Sequence, residues 1–258
     1  MTSIDVSYRV EGAGPALYMV HGIGSRAVMW DSIIPALKDK FTCVSFDLRG
    51  HGASPVPPVP YSLEQLVEDL EALRARLGHE QIHVIGHSLG GMIGPASAHA
   101  HADHTLSVSL LSTAAGRTEE DRAKLQGVIA AMQEKGIGPV LETLVQRWYT
   151  DDFIAARPDL IEARIKQVTD TPTEVFLSVF HIYAETEMAP WLAEIRCPCL
   201  VLTGELDGAC SPRHNRFMAD ELADSELVIL DKIKHSILIE GPGRVAPRVR
   251  EFLLKHRD

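Results

Sequence analysis

Gly86-His87-Ser88-Leu89-Gly90 sets a serine between two glycines, directly after the apolar run Ile82–Ile85 and before an alanine-rich segment. A strand that turns abruptly into a helix forces its turning residue into a strained backbone conformation, and glycines on either side relieve the crowding. A serine at such a turn projects its hydroxyl from the sheet, and the N-terminus of the following helix favours negative charge developing beside it. Serine is a weak nucleophile until a base takes its proton, and the base in turn needs a carboxylate to orient it. The G-x-S-x-G pattern goes with the chain order serine, acid, histidine. Asp207 follows the run Cys199–Leu202, within Thr203-Gly-Glu-Leu-Asp207, and His235 follows the run Leu227–Leu230, within Asp231-Lys-Ile-Lys-His235. Either alone reads as a solvated loop residue. In this order, each just after a strand, Ser88, Asp207 and His235 read as the nucleophile, orienting acid and general base of acyl transfer, with Glu205 as the alternative acid.

Attack on a carbonyl creates an oxyanion that needs two N–H donors, one from the residue after the nucleophile and one from the loop after an earlier strand. Leu89 supplies the first. The loop His21-Gly22-Ile23-Gly24, after the run Ala16–Val20, supplies the second, from Ile23 or alternatively Gly24. His87, beside the nucleophile, either shapes the pocket or only packs.

These residues need elements to hold them. Ile4, Val6, Tyr8 and Val10 alternate with polar residues, as in an edge or antiparallel strand. Ala16–Val20, Phe41–Phe46, Ile82–Ile85, Leu106–Leu111, Cys199–Leu202 and Leu227–Leu230 are continuous apolar runs, suited to parallel strands buried on both faces. Leu63, Leu66, Val67, Leu70 and Leu73 repeat at helical spacing over Leu63–Leu77, with Gly78 just beyond. The alternation predicts an α/β fold with a mostly parallel, doubly wound sheet and the site at one rim. Residues 118–190 are helical in pattern throughout, which predicts a helical cap inserted into a core of residues 1–117 and 191–258. Such caps cover a site and exclude water.

A formal charge of -10 excludes the basic surface that nucleic acid requires, and it means an anionic substrate must be drawn in by local positive charge. No apolar stretch approaches a membrane span, Met1–Val10 lacks the features of a signal peptide, and the four cysteines match neither a disulfide framework nor a paired zinc site. The expectation is a soluble, cytoplasmic protein without membrane or nucleic-acid partners, homo-oligomerisation being left open.

Other patterns invite different chemistry. Gly22-Ile-Gly24-Ser-Arg-Ala27 reads as G-x-G-x-x-A after a strand, with Asp47 following Ala27 by 20 residues, the spacing of a dinucleotide-binding fingerprint. Pro35 argues against the helix which that fingerprint requires, and the fingerprint explains none of Ser88, Asp207 and His235. His99, His101 and His104 suggest a metal, but residues 99 and 101 face apart on a helix, so no metal site is expected. Cys197-Pro-Cys199 reads as core packing, and Asp47-Leu-Arg49-Gly-His51-Gly52 as a turn held by local polar contacts.

With these motifs the chain resembles the α/β-hydrolase superfamily over essentially its full length. Within it, the chain looks most like the 3-oxoadipate enol-lactonase group, through Ser112-Thr-Ala-Ala115, Gly136-Ile-Gly-Pro139 and Arg147-Trp-Tyr-Thr150-Asp-Asp-Phe153. His87 departs from the leucine frequent in that group. The C–C bond hydrolases of meta-cleavage pathways usually carry asparagine there, and the dehalogenases and epoxide hydrolases of this fold carry aspartate where Ser88 stands. The resemblance implies ring opening of a small lactone bearing a carboxylate, in a pathway of aromatic degradation, with no cofactor and no metal. It points to Arg147 as the carboxylate's partner, Trp148 as an apolar wall, and Arg26 as a second cation. A C–C bond hydrolase and a general carboxylesterase are the alternatives, and a nicotinamide-binding oxidoreductase is a remote one.

Overall fold

The computed structural model describes residues 3–257. Among them the chain forms β1 (Tyr8–Glu11), β2 (Ala16–Val20), β3 (Thr42–Phe46), α1 (Leu63–Leu77), β4 (Ile82–His87), α2 (Gly90–Ala100) and β5 (Thr105–Leu111). Five helices follow without a strand: α3 (Glu119–Lys135), α4 (Ile137–Trp148), α5 (Asp151–Ala156), α6 (Pro158–Thr169) and α7 (Thr173–Glu185). The chain then returns to β6 (Cys199–Gly204), α8 (Pro212–Glu221), β7 (Ser225–Leu230), α9 (Ile237–Glu240) and α10 (Pro242–Lys255). The strands make one sheet in the order β1-β3-β2-β4-β5-β6-β7. Only β1 runs against its neighbour among the described strands. No helix among the described residues is long and apolar enough to cross a membrane.

Because side chains alternate across a strand, each central strand feeds two cores. Tyr18 and Val20 of β2 pack into the layer that holds α1 and α2, while Leu17 and Met19 pack into the layer that holds α10. Hence strands β2 to β6 are buried almost throughout on both faces, although β3, β4 and β5 interrupt their apolar residues with Ser45, His83, Ser107 and Ser109. The edge strand β7 does not share this: Leu227 is 38% exposed, so the expectation of burial on both faces fails there. The alternation from Ile4 also starts before its strand does. The Ile4 N–H goes to Asp69 Oδ1 and the Ser7 N–H to Ser54 Oγ, so these N–H groups pair with side chains. Ser7 meets the main chain through its carbonyl, which accepts the Asp47 N–H just past β3.

α1 keeps the bounds its sequence sets. Ser62 and Gln65 form a reciprocal N-terminal cap, Leu66, Val67, Leu70 and Leu73 are buried, and Gly78 ends the helix at φ +71°. The dinucleotide fingerprint fares differently. Its last residue opens a 3-10 turn over Ala27–Ser32, and Pro35 sits in a second over Ile34–Ala36. Both Asp47 carboxylate oxygens are taken by the N–H groups of Ala27 and Ala53. The long helix and free acid that would hold a dinucleotide are not formed.

Parallel strands bring their carboxyl ends to one rim. The loops after β2, β4, β6 and β7 therefore emerge together, carrying Ile23, Ser88, Asp207 and His235. Helices α3, α4, α6 and α7 share an apolar cluster around Met132, Leu141 and Phe176, while Val175, Val179 and Tyr183 of α7 also join the core that contains the sheet.

Candidate active site

Ser88 stands at φ +56°, in the left-handed region that non-glycine residues seldom occupy. The flanking glycines are steric necessities. A Cβ on Gly86 would lie 1.9 Å from the Gly90 carbonyl oxygen, and one on Gly90 would lie 2.0 Å from that of Val20. The Ser88 N–H donates to Leu111 O at 2.9 Å, pinning the turn to the end of β5.

Asp207 and His235 meet: Nδ1 of the imidazole donates to Asp207 Oδ2 at 2.9 Å, with both side chains buried. The carboxylate is saturated, since Oδ1 accepts the Ala209 and Cys210 N–H groups and Oδ2 also accepts the Thr203 hydroxyl. Burial opposes charge on both partners, but their attraction outweighs it. His235 is raised above the ordinary imidazole value and Asp207 is held below the ordinary carboxylate value. With Nδ1 committed to Asp207, Nε2 is the free position on the ring. Ser88 and His235 line the same cavity, although no hydrogen bond joins their side chains here; such contacts often tighten only when substrate binds. Glu205, the alternative acid, is exposed and accepts the Lys232 N–H instead.

His87 is buried, and its Nε2 donates to the backbone carbonyl of His235 at 3.0 Å. Burial and the neighbouring His235 charge push it down to about 3, so it stays neutral. It lines the cavity and ties the residue before Ser88 to the His235 loop.

Neither the Ile23 nor the Leu89 N–H donates to another group among the described residues, whereas Gly24 gives its N–H to His51 Nε2 at 3.1 Å. Gly24 is thereby removed as an oxyanion donor. Burial lowers His51 to about 4, leaving a neutral acceptor, and its Nδ1 donates to Arg49 O. His21 Nε2 accepts the Leu48 N–H, and Arg49 binds Asp69 of α1 with two bonds of 2.7 and 2.8 Å. The segment 47–52 is therefore no merely local turn. It buttresses the loop after β2 against α1.

The cavity above Ser88 measures about 300 Å³, within the range of small-molecule sites. Trp148 lines it, and so does Arg147, although Arg147 is exposed to solvent. Arg26 is outside it, turned 3.5 Å from Asp170, because the residues after Gly24 turn away into the 3-10 segment. A cation that touches the loop after β2 is one that the sequence does not reveal. Arg164 of α6 donates to Ile23 O at 2.9 Å and to Gly24 O, lies 5.2 Å from the Trp148 ring centre, and lines the cavity without an ion pair among the described residues. Burial lowers its pKa, yet an arginine remains charged. Its segment, Asp159-Leu-Ile-Glu-Ala-Arg164, looks like any charged surface helix, so no local signal marks it.

Among the described residues, two groups of side chains bring metal-binding atoms within 4.8 Å of one another: Glu71 with His101 and His104, and Asp207 with Cys210 and His235. Glu71 is already bound by Arg74 through both oxygens, and His99 points elsewhere, to Glu194. The four cysteines are free thiols, with Cys199 buried at the start of β6.

A strained serine and a histidine held by a buried carboxylate meet at one cavity, and comparisons with known proteins bear on the fold that assembles them. The profile of the alpha/beta hydrolase fold family matches residues 15–242. The 3-oxoadipate enol-lactonase 2 of Acinetobacter baylyi is 30% identical over 230 residues, covering 88% of this chain and 84% of that protein. The crystal structure of the enol-lactonase from Burkholderia xenovorans LB400 superposes with a TM-score of 0.89 at 27% identity, covering 96% of each chain. A thermophilic esterase from Thermogutta terrifontis, solved with malate bound, has a TM-score of 0.89 at 28% identity, covering 99% of this chain and 95% of that one. The chain belongs to the α/β-hydrolase fold family.

Proposed function

We propose that the protein hydrolyses a small carboxylic ester or lactone that carries a carboxylate, through an acyl-enzyme on Ser88, in the manner of a 3-oxoadipate enol-lactonase. The observation that carries this reading is Ser88, held at φ +56° on the wall of the same cavity as a histidine whose Nδ1 is tied to buried Asp207. His235 Nε2 takes the hydroxyl proton as Ser88 attacks the carbonyl, and Asp207 stabilises the imidazolium that forms. The N–H groups of Ile23 and Leu89 hold the oxyanion. The leaving oxygen departs as an enol or alcohol, and His235 then activates water to release the acid. Residues 118–190 act as a cap over a core formed by residues 1–117 and 191–258, and they supply Trp148 as an apolar wall.

The substrate's carboxylate is assigned to Arg164, with Arg147 at the solvent side. Two of the similar proteins are enol-lactonases and a third was solved with malate, which supports an anionic ligand. The test is hydrolysis of 3-oxoadipate enol-lactone and of p-nitrophenyl butyrate by wild type and by Ser88→Ala. Wild type opening the lactone far faster than it cleaves the aryl ester, with the variant doing neither, is the expected result. Cleavage of the aryl ester alone would overturn the lactone, and full activity in Ser88→Ala would overturn the mechanism.

A further inference from the structure

The protein carries a formal charge of -10, yet four cations, Arg117, Lys124, Arg147 and Arg164, line the cavity against one carboxylate, Asp121. Most of these charges are already spent. Asp121 accepts the Thr118 N–H and pairs with Arg213, Lys124 pairs with Glu120 at 2.8 Å, and Arg147 is exposed, where a charge contributes little.

Arg117 is different. It lies on the connection between β5 and α3, is 6% exposed, and has its guanidinium 4.6 Å above the Tyr183 ring. Nη1 donates to Thr186 O at 2.7 Å, but Nη2 is buried without a hydrogen-bond partner among the described residues. Glu187 stands close by and does not relieve it, because its oxygens accept the backbone N–H groups of Gly116 and Arg117 at 2.9 and 3.0 Å. Tyr183 is itself pinned, with its hydroxyl 3.0 Å from Cys210 Sγ, so the surface beneath the guanidinium is fixed. An unsatisfied buried donor on a charged group is costly and calls for a partner absent from the protein. A planar carboxylate matches that fork.

Building on the hydrolase reading above, we propose that the substrate is a dicarboxylate: an ester or lactone with one carboxylate at Arg164, beside the oxyanion loop, and a second at Arg117, beside the Asp207 loop. A monoanion leaves either Arg117 or Arg164 without a counter-charge; a dianion neutralises both.

The test uses three p-nitrophenyl esters that carry no, one and two free carboxylates: the butyrate, the glutarate monoester and the tricarballylate monoester. Wild type is expected to cleave the dicarboxylate with a kcat/KM about ten-fold or more above the monocarboxylate. Arg117→Met brings that ratio to about one, and Arg117→Lys keeps part of it, since an ammonium retains charge but loses the fork. A wild-type ratio of one or below overturns the proposal, and so does a ratio that survives Arg117→Met. If the Met variant does not fold, the wild-type ratio and the Lys variant still decide. Failure of the hydrolase reading looks different: none of the esters is cleaved and a fluorophosphonate leaves Ser88 unlabelled. Even then, tricarballylate raising the wild-type melting temperature more than glutarate does, with the difference lost in Arg117→Met, supports dicarboxylate binding, and equal shifts overturn it.

Discussion

Gly24 donates its backbone N–H to His51 Nε2 across 3.1 Å, joining the loop after β2 to a histidine 27 positions further along the chain. This bond spends the N–H of Gly24, whereas that of Ile23 is unclaimed among the described residues, so under the proposed mechanism the pair of residues selects which peptide of the loop serves an oxyanion. His51 performs this only while neutral, and burial keeps it so.

His51→Ala should therefore loosen the peptide between Ile23 and Gly24 without touching substrate. Removing one oxyanion donor outright costs about 10²–10³-fold in kcat. Loosening its support should cost about ten-fold, with KM little changed, as read by steady-state hydrolysis of p-nitrophenyl butyrate. An unchanged kcat would show that the loop holds its shape without His51.

The pH profile follows from the His235–Asp207 pair. His235 must be neutral to accept the Ser88 proton, and Asp207 raises its pKa above the ordinary value of about 6.5. Activity should rise with pH through a limb that lies above about 6.5. Asp207→Asn removes the opposing charge, so the limb should move down while the plateau falls by about 10⁴-fold, the amide holding the ring in the wrong tautomer. Linkage runs the other way for stability. The contribution of a raised histidine pKa is fully present below the unfolded value of about 6.5 and is lost as pH rises through the folded value. A limb that stays in place in Asp207→Asn would assign the titration to another group.

Arg164 touches both the loop and the cavity, holding Ile23 O and Gly24 O from α6. Arg164→Met should lower kcat/KM for the p-nitrophenyl glutarate monoester about ten-fold more than for the neutral butyrate. Equal losses on the two esters would reduce Arg164 to a brace for the oxyanion loop.

Stability offers an independent check. The Arg49–Asp69 pair is buried on both sides, and Asp69 also accepts the Ile4 N–H. Asp69→Ala leaves a buried guanidinium unpaired, which costs about 3–5 kcal/mol. Urea unfolding should show that loss as a lower midpoint at unchanged slope. A loss under about 1 kcal/mol would mean the arginine finds solvent.

What the sequence determined by itself is what short stretches of backbone enforce. The apolar spacing over Leu63–Leu77 and Gly78 just beyond it bound α1, and the bounds read from them are those observed, with Ser62 and Gln65 capping the start. Gly86 marks the turn because a Cβ there collides with the main chain of Gly90 and Gly91 in the same turn, whereas Gly90 is required by the tertiary approach of β2, whose Val20 carbonyl a Cβ would strike. Apolar runs become strands, and parallel strands carry Ile23, Ser88, Asp207 and His235 to one rim. Tertiary structure decided the pairings between distant side chains. Whether Gly24 or Ile23 keeps a free N–H depends on His51, and the pairing of Ile4 with Asp69 shortens β1 across 65 positions. Arg26 and Arg164 look alike in sequence, each an arginine among small or charged neighbours. One is turned to Asp170 and the other faces the cavity, because the packing of α6 against the oxyanion loop sets the direction of each side chain, and no local periodicity encodes that packing.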